Sequence, residues 1–137
     1  MEQKTMRNTI LFRALLLVLI AVMALTAISC GTETANEGEK TFTFQVRDLE
    51  GTVVGNFRIT SERAMVGEAL LDEGLIEGEQ GPYGLYVKTV NGITADYDVD
   101  GTYWAFYIGG IDRTYATTGV DATPIEDGGV YSFQISK

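Results

Sequence analysis

From Ala14 to Ile28 the chain carries no charge, and its only cysteine, Cys30, follows two residues later. The apolar stretch has 15 residues, preceded by Leu11, Phe12 and the basic residues Lys4, Arg7 and Arg13. A bilayer span needs ~20 apolar residues, whereas an export signal uses a shorter apolar run behind a basic start and before small residues. Residues 1–29 therefore read as a signal peptide, which confines the folded domain to the rest of the chain.

The cysteine lies where that signal ends, in Thr26-Ala27-Ile28-Ser29-Cys30-Gly31. The string resembles a bacterial lipobox, with Ala27 at the position usually held by Leu. That resemblance implies a diacylglycerol on Cys30, cleavage before it, and a membrane lipoprotein on the exported side of a bacterial cell. An ordinary signal peptide with an incidental cysteine, or an uncleaved anchor, is the alternative. Each acyl CH₂ buried in the bilayer adds ~0.8 kcal/mol of anchoring. Residues 30–40, polar and acidic with no apolar period, read as the lipidated Cys and a solvated tether.

Setting residues 1–29 aside changes the charge. They hold three of the 10 basic residues and one of the 19 acidic ones, so the remainder carries 7 against 18, a net −11 in place of −9. Nucleic-acid binding is excluded, since it needs clustered Lys and Arg. The chain has no His, which removes imidazole bases and His-ligated metal sites, and one Cys permits neither an internal disulfide nor a thiolate zinc cluster. No Gly-rich phosphate loop is present, and paired-carboxylate glycosidase chemistry needs a cleft that 97 residues are poorly placed to build. The domain is expected not to be an enzyme.

Within 41–137, Thr41–Arg47 alternates, with Phe42, Phe44 and Val46 on one face. Val53–Thr60 alternates after a short turn, with Val53, Phe57 and Ile59 predicted inward. The period then becomes helical: Val66, Ala69 and Leu70 share a side within Met65–Gly74, Glu68 suits the first turn, and Gly74 suits the end. Glu77-Gly78-Glu79-Gln80-Gly81-Pro82 reads as a Gly-rich turn. Strands follow at Leu85–Val90, Thr102–Ile108 and Val130–Ser136, with turns at Asn91-Gly92 and Gly109-Gly110. In the last strand Tyr131, Phe133 and Ile135 face one way and Ser132, Gln134 and Ser136 the other. The expected fold is α+β: a β-grasp-like mixed sheet, order ββαβββ, with one helix on one face. A β-sandwich is the alternative, although it leaves the helix unexplained.

Tyr86-Val87-Lys88-Thr89-Val90-Asn91-Gly92, Tyr103-Trp104, Gly119-Val120-Asp121 and Glu126-Asp127-Gly128, with Val66–Leu71 at the helix, recur in this order in a known module. The set resembles the C-terminal β-domain of the cobalamin carriers transcobalamin and intrinsic factor. It also resembles transcobalamin-like domains of unknown function on bacterial surface proteins. In the animal carriers this domain covers one face of the corrinoid, while a helical barrel with no counterpart in these residues binds the other. The resemblance implies cobalamin as a bound ligand, with Tyr86 and Trp104 the best-matched contact positions.

Seven tyrosines and one tryptophan supply flat rings with polar edges, suited to a flat amphipathic ligand. The candidate binding residues are Tyr86, Tyr97, Trp104 and Tyr107. The plainer alternative is core on the Trp104 face of its strand and half-exposed surface on the Tyr107 face. Asp96-Tyr97-Asp98-Val99-Asp100-Gly101 matches the start of a calcium loop, but position 12 is Tyr107 where a bidentate Glu should close the cage. Asp96, Asp98 and Asp100 therefore read as an acidic turn, with a looser calcium site as the alternative, and no metal or cofactor is required. Two functions stay open: a surface lipoprotein binding a corrinoid, and a module that binds another surface protein.

Overall fold

Alternation in β1 (Lys40–Arg47) buries Phe42, Phe44 and Val46 and turns Gln45 and Arg47 to the other face. The computed structural model describes Arg13 and residues 38–137. The chain divides into Met1–Thr34 and Ala35–Lys137, and the second unit is described here. Cys30 and the apolar stretch before it lie outside the described residues, among which no helix is long and apolar enough to cross a membrane.

After β1 come β2 (Val53–Ser61), α1 (Val66–Asp72), β3 (Ile76–Gly81), β4 (Gly84–Val90), β5 (Ile93–Thr94), α2 (Tyr97–Asp100), β6 (Tyr103–Ile108), β7 (Thr114–Tyr115), a 3-10 turn at Val120–Ala122, and β8 (Val130–Ser136). The expected α+β class holds. A five-stranded sheet runs β2-β1-β8-β6-β7, with β1 and β8 parallel and the other pairs antiparallel. That order, a hairpin whose first strand lies parallel to the last, is the β-grasp arrangement.

The order ββαβββ is too simple. The Gly-rich segment expected as a turn is strand β3, and β3-β4-β5 form a separate three-stranded antiparallel sheet. Glu77, Gly78, Glu79 and Gln80 are all exposed, so β3 carries no alternating apolar signal, and only Ile76 is buried. The turn at Asn91-Gly92 is as expected: φ values of 49° and 77° fold β5 back onto β4.

With seven residues, α1 is too short to persist alone and is held by tertiary packing. It buries Val66, Ala69 and Leu70; a fully buried Val or Leu contributes ~1.5–3 kcal/mol. Glu68 accepts the Met65 N–H at 3.3 Å, and Gly74, at φ +67°, ends the helix. Gly67 faces the 3-10 turn so closely that a Cβ there would lie 2.9 Å from the Asp121 Cα and N.

The core joins both sheets and α1. Phe42 meets Tyr131 edge-on at 5.5 Å, and Phe106 lies 5.0 Å from Phe133. The Tyr131 hydroxyl accepts the Glu126 N–H at 2.9 Å and donates to the Pro124 carbonyl at 3.2 Å. One expectation about faces fails, and one residue is more buried than its face suggests. Val53 is exposed, because the β1–β2 register shifts between Val46 and Arg47 and breaks the alternation. Ser132 lies on the face opposite Tyr131 and Phe133, as expected, and is fully buried there.

Candidate functional site

Between β6, β8, β4 and the segment after β7 lies a cleft of about 320 Å³. Its floor is Trp104, Phe106 and Phe133, and its walls include Tyr86, Thr117 and Thr118. The Trp104 indole is buried, and its Nε1–H donates to the Ile93 carbonyl at 3.2 Å, which fixes the ring. Tyr86 projects from β4, partly exposed, and also borders a shallow groove along Gly81–Tyr86 at the tip of the β3–β4 hairpin. The wall opposite β4 is held by backbone bonding: the Ala116 N–H donates to the Phe106 carbonyl at 2.9 Å.

One lip is formed by Gly119 and Val120, and Asp121 behind it ties that turn to β4. The Asp121 Oδ2 accepts the Leu85 N–H at 3.1 Å, while Oδ1 is buried without a partner. Side chains at Gly84 and Gly119 would crowd that carboxylate, since a Cβ at either would sit 2.8 Å from Oδ1. The Gly119-Val120-Asp121 string singled out in the sequence thus marks a cleft edge. Tyr115, Ala116, Thr117 and Thr118 line the cleft without having been candidates; no periodicity distinguishes that loop.

The four aromatic candidates separate. Tyr86 and Trp104 share the cleft. Tyr107 is on the opposite face of β6 from Trp104, edge-on to Tyr115 at 5.5 Å and with the Arg113 guanidinium 4.5 Å over its ring. Tyr97 stands on α2, 62% exposed, and lines neither depression. Strand alternation separates Tyr107 from Trp104, and α2 was expected as an acidic turn without a helix.

Two of the three aspartate side chains, Asp96 and Asp100, are occupied locally. Asp96 caps α2, its Oδ1 accepting the Asp98 N–H at 3.1 Å. Asp100 accepts from the Thr102 hydroxyl and from the Thr102 N–H at 2.9 Å, and these bonds hold its carboxyl below the usual range. Among the described residues no three Cys, Asp or Glu side chains converge to hold a metal ion.

No family model and no curated protein matches the chain. Among solved structures, a candidate metal-binding protein from Ruminococcus gnavus ATCC 29149 is 32% identical with a TM-score of 0.62, over 70% of this chain and 95% of that one. The chain belongs to that protein's family. Haptocorrin, solved in complex with cobinamide (Cbi), matches in fold at 20% identity and a TM-score of 0.54, over 80% of this chain. This chain spans 28% of the haptocorrin chain. The fold of this chain is transcobalamin-like. Among the described residues of this member of the family, the acidic side chains do not gather into a donor set that fits a resident metal ion.

Proposed function

We propose that this domain binds a corrinoid such as cobalamin at the Tyr86–Trp104 cleft, without chemistry and without a required cofactor. The convergence of Tyr86 and Trp104 on one cleft, in a fold shared with a cobinamide-bound protein, carries the reading. The cleft lining has no carboxylate, guanidinium or amine, so it offers flat apolar contact and hydroxyls in place of an acid–base pair. At about 320 Å³ it admits an edge of the macrocycle and leaves the rest for solvent or a second protein. A lipid on Cys30 would hold the domain on the exported side of a bacterial membrane, where such a ligand is captured for uptake.

Trp104 is the only tryptophan, so its fluorescence reports on this cleft. Titration of the Ala35–Lys137 unit with cobalamin or cobinamide, corrected for corrin absorption and paralleled by calorimetry, should give saturable quenching. Unchanged fluorescence and no heat at high micromolar ligand would remove the corrinoid. The lipid is tested separately: Cys30→Ala should abolish incorporation of labelled palmitate and leave the chain uncleaved, whereas continued processing and membrane retention would refute it. A second reading, a module for another surface protein, draws on Tyr83, which stands 99% exposed at the β3–β4 tip. Retention of a surface protein by the wild type but not by Tyr83→Ser, with no response to corrinoid, would favour it.

A further inference from the structure

The face of the five-stranded sheet turned away from the core holds two arginines that lack acidic partners. Register places Arg47 of β1 beside Gln134 of β8, and Gln45 beside Ser132 in the next row. The Arg47 Nη1 donates to the Gly51 carbonyl at 2.9 Å and its Nη2 to the Gln45 Oε1 at 2.8 Å. Arg113 reaches the same place from the β6–β7 turn, its Nη2 donating to the Gln134 Oε1 at 2.5 Å. The two guanidiniums flank one another: a Cβ at Gly51 would lie 3.7 Å from the Arg113 Nη2.

Three groups here are buried and unpartnered: the Arg47 Nε, the Arg113 Nη1 and the Ser132 Oγ. Ser132 is 0% exposed, and a buried polar atom left without a partner destabilises the fold. Among the described residues the ion pairs are Arg63 with Asp72 and Lys88 with Glu79, so neither Arg47 nor Arg113 has a carboxylate partner. Burial and the neighbouring Arg113 charge push the Arg47 guanidinium below its ordinary value. Two adjacent cations and three idle donors lack one small, negatively charged acceptor. The neighbouring carboxylates do not supply it: Asp48 Oδ1 accepts the Thr52 N–H at 2.8 Å, and neither Asp48 nor Asp112 pairs with a guanidinium.

We propose that Arg47, Arg113 and Ser132 form a site for one small oxyanion, a carboxylate or phosphate group, admitted when the Arg113 side chain lifts from the Tyr107 ring. Guanidinium forks match both groups. The site lies on the opposite face of β6 from the Trp104 cleft and is independent of the corrinoid reading.

The Ala35–Lys137 unit suits the test, since the Ruminococcus gnavus fold is 95% covered by 70% of this chain. Its melting temperature is read in sodium phosphate, sodium acetate and sodium chloride at matched ionic strength and neutral pH. A saturable rise of several degrees over chloride is expected in phosphate, acetate or both, and the responding salt assigns the group. Arg47→Gln should lose the rise, while Arg63→Gln, whose partner is Asp72, should keep it. Should Arg47→Gln fail to fold, the wild-type Arg47 Nε–H resonance gives the answer: it should shift and saturate with the same salt. Equal melting in all three salts with an unmoved resonance means that water alone fills the site, and overturns the proposal. So does a rise undiminished in both Arg47→Gln and Arg113→Gln.

Discussion

The Trp104 indole Nε1–H donates to the Ile93 carbonyl oxygen at 3.2 Å, tying the five-stranded sheet to the three-stranded one through a single side chain. Trp104 lies in β6 and Ile93 in β5, strands that belong to different sheets. The same ring floors the cleft, so this residue contributes both to sheet packing and to cleft shape. Trp104→Phe keeps most of the apolar contact and loses the bond. Ile93 is partly exposed and water can replace the donor, so urea unfolding should show a loss of about 1 kcal/mol. Trp104→Ala, which also opens a cavity, should cost about 3–5 kcal/mol.

Tyr86 and Tyr107 differ in face, and ligand affinity should separate them. Tyr86→Ala is expected to weaken corrinoid binding about tenfold, or ~1.4 kcal/mol. Tyr107→Ala should leave affinity within the error of the same calorimetric titration. Equal losses in both variants would contradict the placement of the site.

Gly67 and Gly74 bound opposite ends of α1 and should respond differently to alanine. Alanine is the better helix former by ~1 kcal/mol, so on propensity alone Gly67→Ala would stabilise. Its Cβ would sit 2.9 Å from the Asp121 backbone, which cannot move freely, and a net loss of about 1–3 kcal/mol is expected. At Gly74 nothing lies within 4 Å of an added Cβ, but φ is +67°, so Gly74→Ala should cost only about 1–2 kcal/mol of backbone strain. Chemical denaturation of both variants measures the difference.

Burial raises the Tyr131 hydroxyl pKa above the ordinary phenol value of 10.0. The native state therefore holds the phenolic proton more tightly than the unfolded chain does. The stability linked to that proton is complete below pH 10.0 and is lost as pH climbs from there through the raised native value. Unfolding free energy should fall across this alkaline window in the wild type. Tyr131→Phe should flatten that fall, at a cost of about 1 kcal/mol at neutral pH from the lost Glu126 and Pro124 bonds.

Phe42, Phe44 and Val46, and Tyr131 with Phe133, were legible as inward faces because a strand with one buried side repeats every two residues. The helix could be read from Val66, Ala69 and Leu70, and its end from Gly74. Strand β3 could not: it pairs through its backbone with β4 and leaves Glu77–Gln80 exposed, so its side chains carry no periodic signal. Tyr86 and Trp104 were found as aromatic residues, yet Tyr97 and Tyr107 looked equally suitable in composition.

Local patterning along the chain was thus enough for the α+β class, the hairpin turn at Asn91-Gly92 and most of the core. The division into two sheets, the meeting of Tyr86 with Trp104, and the approach of Arg113 to Arg47 depended on long-range register and packing. The physical reason is that periodicity records which side of an element is buried, whereas the neighbour across that side is chosen by pairings between distant segments.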